Sequence, residues 1–241
     1  MESQSLKKAR EYEKLKEKNI KKEERPEIHF SPRVGWMNDP NGFSYYNGKY
    51  HLFYQNHPYD AYWGPMHWGH AVSEDLLHWE YLPAALAPDH PYDQFGCFSG
   101  SAITLQDGRQ LLMYTGVERI YQPDGSYFDK QQQCLAVGDG VNYEKWEHNP
   151  ILTEKNIPQN CSATEFRDPK MWKNEDGTYS CVVVNLAANK SGQILFYTSK
   201  DGFEWEFKSV LLENNNRFGI MWECPDVFHA DGRDVVLISP M

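Results

Sequence analysis

The chain has 241 residues, 40% hydrophobic and 24% charged. That is enough apolar material for a packed core and excludes a chain disordered throughout. A formal net charge of −10 lacks the basic footprint of a nucleic-acid binder. No uninterrupted apolar run reaches the roughly 18 residues of a membrane span, which excludes an integral helical membrane protein. Aromatic residues make up 15% of the chain and fall in short runs, pointing to an all-β fold or a sugar-binding surface.

Residues 1–26 carry 9 Lys and Arg against 6 Glu, net +3, and leave −13 for the remainder. This pattern predicts a short charged helix, stopped near Pro26, with Glu13, Lys16 and Glu17 paired on a solvated face. The helical segment docks beside a main domain spanning 27–241. It lacks the apolar stretch of a secretory signal. The five cysteines (Cys97, Cys134, Cys161, Cys181, Cys224) are odd in number and none are spaced as CxxC. They read as free thiols of a reducing compartment, not as a zinc site or disulfide framework, and place the protein in the cytoplasm.

Beyond residue 27, turn dipeptides recur at Asn47-Gly48, Asp107-Gly108, Asp176-Gly177 and Asp231-Gly232, their glycines 60, 69 and 55 residues apart. Each suits the φ > 0 positions of a tight hairpin, and each is followed by a strand-like run. A second signature follows the first and third hairpins: Ser73, Asp75 and Trp79, then Ser199, Asp201 and Trp205 at the same spacing. A looser version ends at Trp146. Each repeat holds about four short strands, which predicts the blades of a β-propeller. Here there are about three and a half. The fourth repeat has no Ser/Asp/Trp element after its hairpin, and the expectation is an N-terminal portion of a longer protein, with an exposed sheet edge prone to aggregation.

Counting back nine residues from each turn glycine gives Asp39, Ser99, Asp168 and Glu223. Three of the four are acids with a proline one or two residues on, a residue tolerated where it need not donate to the ladder. If these positions are equivalent on innermost strands, the acids converge at one mouth of the channel. Their neighbours differ. Asn38 and Asn41 flank Asp39 and can keep it ionised, as a nucleophile requires. Arg167 can hold Asp168 charged. Trp222 and Cys224 give Glu223 an apolar setting that suits a general acid. A nucleophile with an acid/base equips a retaining glycosidase, and the third acid is free to bind sugar hydroxyls.

His51, His57, His67, His70 and His78 read as polar packing, and the chain offers no loop of the EF-hand type, so no metal is expected. Trp79, Trp146 and Trp205 recur with the repeat and read as core. Trp36 and Trp63 fall outside it and are candidates for an aromatic wall against a sugar ring.

The blocks Trp36-Met37-Asn38-Asp39-Pro40-Asn41-Gly42, Phe98-Ser99-Gly100-Ser101, Arg167-Asp168-Pro169 and Glu223-Cys224-Pro225 resemble, in order and spacing, the motifs of glycoside hydrolase family 32. That family holds invertases, inulinases and sucrose-6-phosphate hydrolases. The similarity runs from about His29 to the last residue, and Tyr50 to Pro88 is most similar to the bacterial sucrose-6-phosphate hydrolase branch. The resemblance implies a five-bladed propeller followed by a β-sandwich, and no cofactor. It implies Asp39 as nucleophile, Glu223 as acid/base and Asp168 as transition-state stabiliser. Asn38, Gln55, Trp63, Phe98, Ser99 and Arg167 match positions that line the fructose pocket.

The expected function is hydrolysis, with retention, of the β-fructofuranosidic bond of sucrose or sucrose 6-phosphate. The expected partner is a small sugar, fructan included, with neither nucleic acid nor membrane. The sequence assigns no oligomeric state. The competing readings are a propeller glycosidase acting on other furanosides, a fructosyltransferase, and a non-catalytic carbohydrate-binding propeller.

Overall fold

The computed structural model describes residues 2–241. The first sheet holds β1 (Trp36–Tyr46), β2 (Lys49–His57), β3 (His67–Ser73) and β4 (Trp79–Leu86). The second holds β5 (Gly96–Thr104), β6 (Gln110–Tyr121), β7 (Tyr127–Gly138) and β8 (Tyr143–Lys145). The third holds β9 (Cys161–Lys173), β10 (Tyr179–Ala187), β11 (Gly192–Ser199) and β12 (Glu206–Glu213), and the fourth β13 (Trp222–Ala230) and β14 (Arg233–Pro240). Strands pair in chain order within each antiparallel sheet. The leading strands approach one another in series, β1 to β5, β5 to β9 and β9 to β13. They form the inner wall of an arc of three blades and a half, as the repeats predict.

The middle strands read as continuous apolar runs because both their faces are covered. On β6, Leu112 and Tyr114 pack with Phe53, Trp68 and Leu86 of the first sheet. The alternate residues Leu111 and Met113 pack with Met171, Val183 and Leu195 of the third. On β10, Val182 and Val184 turn instead toward Met221 and Trp222. The two-residue period of a strand thus splits each run between two inter-blade cores.

The four hairpins are of two kinds. Asn47 and Gly48 lie at φ +49° and +82°, and Asp231 and Gly232 at +51° and +72°. These are two-residue turns with both central residues left-handed. At Gly108 and Gly177 only the glycine is left-handed, and the chain closes with Leu105 N–H on Arg109 O and Asn174 N–H on Thr178 O, both at 2.8 Å. The loop is longer and needs one glycine.

The Ser/Asp/Trp signature is a built turn. Ser73 Oγ accepts from Asp75 and Leu76 N–H, Asp75 Oδ1 accepts from Leu77 and His78 N–H, and Trp79 Nε1 donates to Leu76 O. Ser199, Asp201 and Trp205 repeat every one of these bonds. In the second sheet Tyr143 stands opposite Gly138 as Trp79 stands opposite Ser73. The tryptophan's place in that blade therefore belongs to Tyr143, and Trp146 packs instead on Phe203 across the next blade, ring centroids 4.6 Å apart.

The N-terminal segment forms α1 (Gln4–Lys16), capped by Ser3 Oγ, which accepts from Leu6 N–H. Leu6 and Ala9 pack on Ala84 and Ala87. Glu13 is not on the solvated face: it is 1% exposed, and its carboxylate accepts from Ala84 N–H at 3.1 Å. Arg10 Nε donates to Ala84 O at 2.9 Å and its Nη1 to Asn142 Oδ1 at 3.0 Å. Strand β4 is a sheet edge, and α1 satisfies the orphan N–H and C=O that an edge presents. Glu17 pairs with Arg33 at 2.7 Å. Among the described residues no helix is long and apolar enough to cross a membrane.

Candidate active site

Every inner strand carries a bulge where its motif lies. On β1, Asn38 and Asp39 fall between the pairs Met37–Asn56 and Pro40–Tyr54. On β5, Ser99 is the extra residue between Phe98–Thr115 and Gly100–Tyr114. On β9, Asp168 and Pro169 lie between Arg167–Val184 and Lys170–Val182. On β13, Cys224 and Pro225 lie between Glu223–Ser239 and Asp226–Leu237. A bulge leaves an unpaired residue, suits proline, and re-aims side chains. Gly100 is required here: a Cβ would stand 2.0 Å from Met113 O.

The ladders correct the nine-residue register. Glu223 occupies the position of Arg167, not of Asp168, whose counterpart is Cys224. Asp168 and Cys224 share a left-handed backbone, φ +60° and +47°. Spacing to the turn glycine is not ladder register, because the turns of β9 and β13 differ in length. The three acids nevertheless meet, because the bulges turn their side chains toward one space.

That space is a cavity of about 400 Å³ lined by Asn38, Asp39, Gln55, Trp63, Phe98, Ser99, Gln131, Glu165, Arg167, Asp168 and Glu223. It brings together the three acids and the six residues matched to the fructose pocket, but not Trp36. Ser99 Oγ donates to Asp39 Oδ2 at 2.7 Å, and Asn38 Nδ2 donates to Oδ1 at 3.3 Å. Asp168 Oδ2 accepts from Cys224 N–H at 2.9 Å, while Asp168 N–H donates to Thr115 Oγ1 at 3.0 Å. Arg167 donates through Nε and Nη2 to Glu223 Oε1 at 3.2 and 3.0 Å, and its Nη1 pairs with Glu165. Gln55 Nε2 is anchored on Cys97 O at 3.0 Å. Trp63 and Phe98 form an aromatic wall, edge to face at 6.0 Å.

The electrostatics correct two expectations. Asp168 is 7% exposed, and burial pushes its pKa up to about 6, with Glu223 and Asp39 adding to the rise; the Cys224 N–H bond and Arg167 offset only part of it. Adjacent in sequence, Arg167 favours the charged form of Asp168 only in part, since its guanidinium hydrogen-bonds Glu223 and pairs with Glu165. For the same reason Glu223 does not sit in an apolar setting. The structure also moves Trp36 back from the wall: its indole N–H donates to Asn38 Oδ1 at 2.8 Å and so orients that amide.

Gln131 and Glu165 were not named from the sequence. A signal existed for each. Glu165 is two residues before Arg167, hence on the same face of a strand. Gln131, Gln132 and Gln133 form a run of three amides directly before the apolar stretch Cys134 to Val137. Four carboxylates lining one cavity can supply both a nucleophile and a proton donor to one bond.

The family model described as glycosyl hydrolases family 32 N-terminal domain matches residues 29–241. The chain belongs to this family. A raffinose invertase of Escherichia coli is 43% identical over 89% of this chain and 44% of its own length. A sucrose-6-phosphate hydrolase of Zymomonas mobilis is 40% identical over 89% of this chain and 42% of its own length. The solved family 32 β-fructofuranosidase of Bombyx mori shares 47% identity with a TM-score of 0.85, covering 98% of this chain and 48% of that one. A mutant of that enzyme in complex with sucrose superposes with a TM-score of 0.86 at 45% identity, covering 100% of this chain and 49% of that one. The chain thus spans less than half the length of the family 32 relatives it matches.

Proposed function

We propose that the protein is a glycosidase that cleaves the β-fructofuranosidic bond of sucrose or sucrose 6-phosphate with retention. Asp39 attacks the anomeric carbon of the fructosyl unit while Glu223 protonates the leaving glucosyl oxygen. Water then hydrolyses the fructosyl-enzyme, with Glu223 acting as base. Asp168 stabilises the positive charge developing on the sugar ring and accepts from its hydroxyls. Asn38, Gln55, Trp63, Phe98, Ser99 and Arg167 bind and orient the fructosyl unit.

The observation that carries this reading is the meeting of Asp39, Asp168 and Glu223 in one cavity, each with a different hydrogen-bond environment. Relatives named for sucrose 6-phosphate and raffinose, and the solved sucrose complex, support the substrate class. In the same reading, residues 27–241 are the propeller portion of the catalytic domain and residues 1–26 its helical brace. The five free cysteines fit a cytoplasmic site of action.

The test is release of glucose or glucose 6-phosphate from the two sugars by this chain and by a C-terminally extended form. The extended form is expected to cleave at least one of them. Asp39→Ala and Glu223→Ala are each expected to lower its kcat by roughly a thousandfold or more, the scale of removing a nucleophile or acid–base group. Near-normal turnover by either variant overturns the mechanism.

A further inference from the structure

Arg167 is 8% exposed and holds two carboxylates at once. Its Nε and Nη2 donate to Glu223, and its Nη1 pairs with Glu165, which lines the same cavity. Gln131 Oε1 accepts from Phe166 N–H at 2.8 Å and from Arg167 Nη1 at 3.4 Å, so the guanidinium is fixed from a third side. We propose that Glu165 is a positioning residue that divides the Arg167 guanidinium with Glu223 and thereby limits how firmly Arg167 holds the Glu223 carboxylate.

A guanidinium bonded to one carboxylate alone favours its charged form strongly, which disables a proton donor. A second anion on the same guanidinium offsets that pull and repels the charge on Glu223. The other groups facing this bridge are Asp39 on β1, Asp168 on β9 and the Cys224 thiol on β13. Burial and the three surrounding carboxylates keep that thiol neutral. Lys170 does not compete for Glu223, since it pairs with Asp226 at 2.7 Å. Glu165 is thus the one anion around Glu223 that also bonds its guanidinium partner.

The inference rests on the acid role proposed for Glu223. The test is the pH profile of kcat/KM for sucrose or sucrose 6-phosphate in the extended protein, comparing Glu165→Gln, Glu165→Asp and the parent. Glu165→Gln keeps an acceptor for Arg167 but removes the charge. Its alkaline limb is expected to move to lower pH by about half a unit to one unit, the scale of one nearby charge. The kcat/KM at pH values above that limb then falls about three- to tenfold. Glu165→Asp keeps the charge and is expected to keep the limb near its parent position. A purely structural role lowers kcat/KM evenly across pH, and an unmoved limb in Glu165→Gln overturns the inference. Glu223→Gln separates the two failures: if it turns over normally the acid role falls, and if it is inactive while the Glu165→Gln limb is unmoved, only the role of Glu165 falls.

Discussion

Asp168 shows what the fold costs at a single residue. Its pKa rises from 3.8 to about 6 because the carboxyl is buried among other acids. The native state therefore holds its proton more tightly than the unfolded chain does. That contribution to stability is fully present below about pH 4 and is lost as pH rises through about 6. A shift of this size corresponds to about 3 kcal/mol. Asp168→Asn is expected to raise the Tm at pH 7 to 8 and leave it nearly unchanged at pH 4, as thermal melts across pH would show. The same substitution is expected to lower kcat/KM roughly a hundredfold or more, the scale of a lost electrostatic stabiliser. A variant that is less stable at pH 8 would refute the assignment of strain to this carboxyl.

At the scale of an element, α1 joins the first blade through a charge that only the docked helix buries. Burial raises the Glu13 pKa from 4.5 to about 7 against the bond from Ala84 N–H. The folded value lies above the unfolded one, so this contribution is present below about pH 4.5 and fades as pH climbs to about 7. Its size is on the order of 3 kcal/mol. Glu13→Gln keeps the acceptor for Ala84 N–H and removes the titration. Urea midpoints of the variant are expected to stay flatter than the parent's between pH 5 and 8 and to exceed them at the upper end. A parent midpoint that rises with pH over this window would contradict it. The inner strands make a parallel point. Four bulges, not four straight strands, aim the acids, and Asp168 and Cys224 take left-handed backbones there, at a cost of order 1–3 kcal/mol each. Asp168 is held by a relay in which Gln133 anchors Thr115 and Thr115 accepts its N–H.

At the scale of the molecule, the outer side of β14 pairs with no strand among the described residues. Nearby, Phe228 and Leu237 are 43% and 53% exposed. An unpaired edge beside apolar side chains templates association with another edge. This chain alone is expected to self-associate above micromolar concentration, and Leu237→Lys to shift it toward monomer in sedimentation. Monomeric behaviour of the parent at all concentrations would remove this expectation. The three inter-blade cores act oppositely: in the middle blades every strand but the outermost serves two of them, so loss of one large side chain such as Tyr114 or Val183 is felt in both adjoining sheets.

Much of this was legible in the residues alone. Turn dipeptides followed by apolar runs identify hairpins because only left-handed backbone closes them tightly. The Ser/Asp/Trp signature marks blades because its side chains bond the turn's own N–H groups. Both are local chemistry, and local chemistry is written in sequence. So are nine of the residues that line the cavity, carried by short motifs. What the tertiary structure alone decided depends on partners far along the chain. Glu13 is buried because β4 has an edge to satisfy. Arg167 hydrogen-bonds Glu223, 56 residues away, and not its neighbour Asp168, because the β13 bulge brings the Glu223 carboxylate onto its guanidinium while Asp168 takes its hydrogen bond from Cys224 N–H. The one-residue difference between Asp168 and Glu223 on their ladders arises from turn length and bulge together. Whether a carboxyl is held charged or left protonated follows from which groups the fold sets around it, and adjacency in the chain does not determine that.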